Sequence, residues 1–411
     1  MHVIAARNVN DAYRRGLRLL YAEGQLSPSR NGDVLRVDDP VTTVYDHPTE
    51  RVLFSAQRNA NPFFHLIESL WMLNGRNDTR TLTQFIPRMA EFSDDGMTFH
   101  GAYGHRWRRW ALPNHRDPSG RTPELDQLDV AVRMLKQNSA DRRVVIGMWD
   151  PALDLGIASK DIPCNDLIKL RITNGALDLH VYCRSNDAIW GCYGANAVQF
   201  SVLQEYLAAR IGCSVGRYWQ ISGDFHAYQT QPYRWSTFWP LDPDINFATD
   251  GLVDPSDMDW TDDDLLFQNP YDLTIAPIRP YPLVTMPDLF DAELTRTVSQ
   301  IASMAEFPLF PVYARGRQYL IEENLYGNQF FPHVVIPMCV AFLVHQRGDT
   351  PSAIGLLSDL NTAMLERYGY TIDWCTAGEQ WLNRSFAHRQ EANRHRPSLF
   401  PAPSPSTAPT L

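Results

Sequence analysis

Asn174-Gly175 constrains this chain more than any other pair of residues in it. Two apolar-rich runs, 167–173 and 176–183, flank the pair. A two-residue turn needs positive φ at both positions, which Asn followed by Gly tolerates best, so the spacing predicts a β-hairpin. In that hairpin Thr173 faces Ala176, and the same register carries Cys164 opposite Ser185 and beside Arg184. A thiol, a guanidinium and a hydroxyl thus converge from segments about twenty residues apart. Cysteine is the side chain best suited to covalent attack near neutrality, and a permanent cation beside it lowers its pKa. A lone cysteine is more often a small buried hydrophobe at a strand start. The Pro163-Cys164 start and the Arg184-Ser185-Asn186-Asp187 run favour a nucleophile in an anion-binding site.

Those residues resemble the thymidylate synthase family, which includes deoxycytidylate hydroxymethylase relatives. Pro163-Cys164, Arg184-Ser185 with Asp187, Gly191, and Gly223-Asp224 with His226 and Tyr228 stand in family order. Upstream, Arg142-Arg143 before an apolar run ending in Trp149-Asp150-Pro151 matches too, as does Glu68 with Trp71. The resemblance spans roughly residues 25–235. It implies an α/β fold with a large mixed sheet packed by helices over residues 1–240. The reaction it implies is one-carbon transfer from 5,10-methylenetetrahydrofolate to carbon 5 of a pyrimidine nucleoside monophosphate, through a Cys164 adduct at carbon 6.

The rest of the chain agrees with a globular enzyme. Its 411 residues are 44% hydrophobic and 20% charged, enough core for more than one domain. A net charge of -10 argues against a nonspecific nucleic-acid binder, although a local basic pocket can still take one phosphate. Six scattered cysteines with no C-x-x-C pair indicate neither a disulfide framework nor a metal site. With no apolar run of membrane-spanning length and no signal peptide, a cytoplasmic protein without membrane contact is expected.

Residues 9–23 read as an amphipathic helix, followed by a turn-rich segment at 27–34. Asn61-Pro62 is a cap and first-turn proline opening a helix to Leu73, with Phe64, Ile67, Leu70 and Trp71 on its apolar face. Glu68 lies on that same face. A carboxylate in an apolar stripe is costly unless paired, so Glu68 is either an ion-pair partner or a working acid/base. Residues 127–137 look helical, 144–148 a buried strand, and 197–211 a buried helix stopped by Gly212. Arg142 and Arg143, being adjacent, point to opposite faces if they lie on a strand. Residues 241–280 form an acidic connector, and 281–395 a helical extension with helices at 287–304, 331–346, 350–368 and 377–388. The Pro/Ser-rich tail 396–411 has the composition of a disordered segment.

The resemblance also assigns roles. Cys164 is the nucleophile, while Glu68 and Tyr103 organise proton transfer. Arg30, with Arg36 in reserve, closes over the phosphate beside Arg184 and Ser185, and Arg142 and Arg143 reach the phosphate of a two-fold mate. This implies a homodimer with shared active sites. His226 and Tyr228 bind the sugar hydroxyl, and Asp187 faces the folate, as do Met89 and Phe92 where synthases carry tryptophans. The base-reading asparagine aligns with Ala195, leaving Asn196 next door, and Asn165 replaces a histidine. Met89, Phe92 and the altered tail, by holding the folate less tightly, favour water over hydride in the last step, hence hydroxymethylation of dCMP, CMP or dUMP. A thymidylate synthase acting on dUMP is the alternative, and a noncatalytic nucleotide-binding regulator a remote one.

Overall fold

The computed structural model describes residues 1–112, 115–117, 119–229, 269–304 and 326–394, and the acidic stretch 242–264 and the tail 396–411 lie outside them. The hairpin forms from strands Asn165–Thr173 and Ala176–Cys183, with φ of 51° at Asn174 and 78° at Gly175. It sits inside a six-stranded mixed sheet ordered His2–Ala6, Val41–Tyr45, Ser214–Ser222, Ala176–Cys183, Asn165–Thr173, Val145–Gly147. Alternation along each strand sends Ile168, Leu170, Leu179 and Val181 inward, where they are fully buried. Opposite them lies helix Ala197–Ile211, with Phe200, Leu203 and Leu207 in the same core. Gly212, at φ 90°, ends that helix as the sequence predicts.

The other face of the sheet holds Lys169, Arg171 and Tyr182 exposed, with Trp219 stacked on His180 at 4.5 Å. The short strand before the hairpin differs from its prediction. Val145 is exposed between buried Val144 and Ile146, so this is a one-faced edge strand and not a wholly buried one.

A second sheet, ordered Asn186–Asp187, Phe225–Tyr228, Val34–Val37, Gln25–Ser27, lies where the hairpin chain leaves the first. Helix Pro62–Leu73 begins as predicted, the Asn61 side chain accepting from the Phe64 amide at 3.1 Å. It is backed by the C-terminal helices Ile336–Gln346 and Asp373–Arg394, the latter longer at both ends than the expected 377–388, and Thr350–Tyr368 packs on both of them. Phe63 meets Phe342 at 5.3 Å and Trp381 at 5.7 Å between ring centroids. Buried Tyr271 donates to Asp373 at 3.0 Å, and Arg108 pairs with Asp291 at 2.9 Å. The C-terminal helices therefore share one continuous core with the sheet layer.

Candidate active site

The hairpin ladder runs in the turn's register from Thr173–Ala176 to Leu167–Tyr182, then slips by one residue at Asp166, so that Asn165 pairs with Cys183. A β-bulge adds one residue to one strand and re-aims its side chains. The consequence is a correction to the predicted register. Cys164 lies opposite Arg184, whose amide donates to the Cys164 carbonyl at 2.9 Å, and Ser185 falls one step further on. Arg184 Nε also donates to the Pro163 carbonyl at 2.9 Å, its Nη2 approaches Cys164 Sγ at 3.9 Å, and its guanidinium lies over Trp149 at 5.5 Å.

The expected depression of the Cys164 pKa is not what the site produces. Burial pushes the thiol above its ordinary value, outweighing the opposing pull of Arg184 and, more weakly, of Arg30; Asp161 and Asp166 push the same way as burial. Asp166, at the bulge, is itself raised to about 6 by burial.

Tyr103 bears on the same turn of chain. Its hydroxyl accepts from the amides of Cys164 at 3.1 Å and Asn165 at 3.3 Å, which leaves its own proton to donate elsewhere. It starts a short helix, Tyr103–Arg108, that presses against Pro62–Leu73. A Cβ at Gly104 would come within 2.0 Å of the Met72 carbonyl oxygen, so only glycine permits that approach. Glu68 projects from the facing helix. Burial raises it to about 7, with Gln199 Nε2 donating at 2.7 Å against that rise and Asp161 adding to it. Asp161, also raised by burial, accepts from the Gly101 amide at 2.8 Å. Asp161, Asp166 and Gln199 escape a sequence reading. Asp161 was two residues from Pro163-Cys164, but Gln199 was one polar residue in an apolar helix run, with no pattern to mark it.

The second sheet lines up the other assigned residues. Asp187 pairs with His226, and His226 with Arg36, across adjacent strands. His226 is buried, with Nδ1 2.9 Å from Asp224 Oδ1, and its ring meets that of Tyr228 edge-on at 5.4 Å. Asn31 reaches Tyr228 Oη at 3.4 Å, tying the turn that bears exposed Arg30 to this strand. Arg36 lies 3.4 Å from Asp38 and 3.9 Å from Asp224. Arg142 and Arg143 precede their strand instead of alternating along it, and both are exposed, Arg143 pairing with Asp141 at 2.7 Å.

Between these groups runs Ala188–Asn196, a π-helical segment. Its i→i+5 bonding accommodates one more residue per turn than an α-helix would. Asn196 is buried and its Oδ1 accepts from Asn165 Nδ2 at 3.3 Å, whereas Ala195 is only partly buried and offers no polar group. Asn196 Nδ2 donates to Asn186 Oδ1 at 3.0 Å.

Asp187 caps the same segment, its Oδ1 accepting from the amides of Ile189 at 3.0 Å and Trp190 at 2.5 Å. Its Oδ2 is buried and has no hydrogen-bond partner among the described residues. A buried carboxylate oxygen is left in that state only at a cost, which a ligand N–H would remove. Phe92 is 46% exposed on the short 3₁₀ helix Pro87–Phe92, where Met89 packs partly against the core. No group of three or more His, Cys, Asp or Glu suited to a metal occurs among the described residues, and no helix there is long and apolar enough to cross a membrane.

Against known proteins, the thymidylate synthase family model matches residues 12–237. A deoxyuridylate hydroxymethyltransferase of Pseudomonas phage M6 is 40% identical over 386 residues, covering 93% of this chain and 94% of that protein. Another of the same description, from Bacillus phage SP01, is 37% identical over 230 residues, covering 56% of this chain and 59% of its own. A putative thymidylate synthase of Methanosarcina acetivorans is 26% identical over 227 residues, covering 55% of this chain and 89% of its own. With Cys164, Arg184 and the Tyr103 hydroxyl brought together at the bulged end of the hairpin, and the family model covering more than half its length, this chain belongs to the thymidylate synthase family of transferases.

Proposed function

We propose that the protein transfers a hydroxymethyl group to carbon 5 of dUMP. The near end-to-end similarity to a phage deoxyuridylate hydroxymethyltransferase carries this reading, and the meeting of Cys164 with Arg184 and Tyr103 supports it. Arg184, Ser185 and Arg30 hold the phosphate by charge-assisted bonds, and His226 and Tyr228 take the sugar hydroxyl. Asn196, steadied by Asn165, meets the base edge.

The Cys164 sulfur adds to carbon 6, and the electron pair of the ring double bond makes carbon 5 nucleophilic. Burial keeps this thiol protonated in the free enzyme, so its proton must leave as the nucleotide docks beside Arg184. Glu68, ionising near neutrality, suits both directions of proton transfer: giving a proton toward the base carbonyl and accepting one from attacking water. Asp187 is fitted to hold the folate, since its partnerless Oδ2 matches a pterin N–H donor. When bound, methylenetetrahydrofolate supplies the one-carbon unit. Exposed Phe92 on that side favours admission of water over a dry, stacked hydride geometry.

A homodimer is part of this reading. The sheet face that carries Tyr182 shows Val3 60% and Val145 50% exposed on its two edge strands, apolar groups that a second copy would bury, with Arg142 and Arg143 beside one edge. Incubation with methylenetetrahydrofolate and each of dUMP, dCMP and CMP tests the activity. Hydroxymethyl-dUMP without dihydrofolate is expected; thymidylate with dihydrofolate would replace this reading with the synthase, and no turnover with the binder.

A further inference from the structure

Asn165 and Asn196 belong to a longer buried chain of side chains. The Tyr218 hydroxyl donates to Gln220 Oε1, and Gln220 Nε2 donates to Asn165 Oδ1 at 3.2 Å. Asn165 Nδ2 donates to Asn196 Oδ1 at 3.3 Å, Asn196 Nδ2 to Asn186 Oδ1 at 3.0 Å, and Asn186 Nδ2 to Ser222 Oγ at 2.9 Å. Every donor points the same way, from Tyr218 to Ser222. None of the six residues is more than 6% exposed. Turning one amide alone would set N–H against N–H on one side and oxygen against oxygen on the other, so the chain keeps or reverses its direction as a unit.

We infer that this relay, through Gln220 and Asn186, sets which way Asn196 presents its amide and so makes the site choose uracil over cytosine. The inference rests on the dUMP reading above. Asn196 has one lone pair and one N–H left over after its two relay bonds, enough to match one pyrimidine edge. Uracil offers N–H at position 3 and a carbonyl at position 4; cytosine offers the reverse, a bare nitrogen and an amino group. With the sugar and phosphate fixed elsewhere, the amide direction decides between them. Neither Gln220 nor Asn186 needs to touch the base, so both are positioning residues.

Gln220→Glu tests it at a distance. The introduced carboxylate can accept from Tyr218 but cannot donate to Asn165, so Asn165 must turn its Nδ2 toward it. Asn196 and Asn186 then turn in sequence, and the reversed chain closes because the Ser222 hydroxyl can donate as well as accept. Asn186→Asp has the opposite design. It still accepts from Asn196 and can accept from Ser222, which pins the original direction. Dissociation constants for dUMP and dCMP, measured without folate, give the readout. The expected result is a dCMP-to-dUMP affinity ratio raised at least about tenfold in Gln220→Glu and not raised in Asn186→Asp. Asn186→Leu, which frees Asn196 to turn, should bring the two affinities toward parity, and it decides the matter should Gln220→Glu not fold. Equal weakening of both nucleotides in Gln220→Glu and Asn186→Leu would mean that the relay only packs the core, and would overturn the inference while leaving the dUMP reading intact. A wild type that binds dCMP better than dUMP would overturn the dUMP reading instead.

Discussion

The amide of Arg184 donates to the carbonyl of Cys164 at 2.9 Å, one residue out of step with the ladder that Asn174-Gly175 begins. That slip puts Cys164 against the backbone of Arg184 itself. It also makes the thiol's surroundings a contest between Arg184, which favours thiolate, and burial, which wins.

Alkylation of Cys164 in the free enzyme should therefore have its pH midpoint above that of an ordinary cysteine. Arg184→Gln removes an opposing cation and should move the midpoint higher still. Iodoacetamide inactivation rates across pH check this; a midpoint below the ordinary value would mean the cation prevails. Cys164→Ser should cut turnover by at least about three orders of magnitude while leaving dUMP binding nearly unchanged.

Glu68 ionises at about 7, held down from a higher value by Gln199. The free-enzyme profile of kcat/KM should show an ionisation there. Gln199→Leu withdraws the hydrogen bond that favours the carboxylate, so that ionisation should move to higher pH. A profile unmoved by Gln199→Leu would assign the ionisation to another group.

The C-terminal helices brace the helix that bears Glu68. Phe342→Ala, in the cluster with Phe63, Phe85 and Trp381, should cost about 3–5 kcal/mol, read from denaturant midpoints. A cost near zero would make the extension an independent attachment.

Subunits of Cys164→Ala and Arg143→Ala should regain partial activity when mixed under conditions of proven exchange, since one hybrid site keeps both groups. A mixture as inactive as its parents would remove the shared-site dimer.

Much of this was legible because local chemistry announced it. Asn-Gly set the hairpin, Asn61-Pro62 the start of the Glu68 helix, and Gly212 the end of another. The bulge at Asp166 was not legible, since no glycine or proline marks it and it follows from how two sheets join. The π-helical form of Ala188–Asn196 was not legible either, since no local residue signal marks it. Gln199 and Gln220 were hidden for a different reason: isolated polar residues in apolar runs acquire a partner only when distant elements meet, and Asn186, inside the polar run 184–187, found its partners the same way. The sign of the Cys164 shift depended on burial, which a residue pattern does not weigh.

The most direct measurement of the central claim is to run the reaction with dUMP in heavy-oxygen-labelled water and weigh the product. Attack by water on the exocyclic methylene predicts one labelled oxygen in a new hydroxymethyl group and no dihydrofolate. An unlabelled methyl product accompanied by dihydrofolate would contradict it.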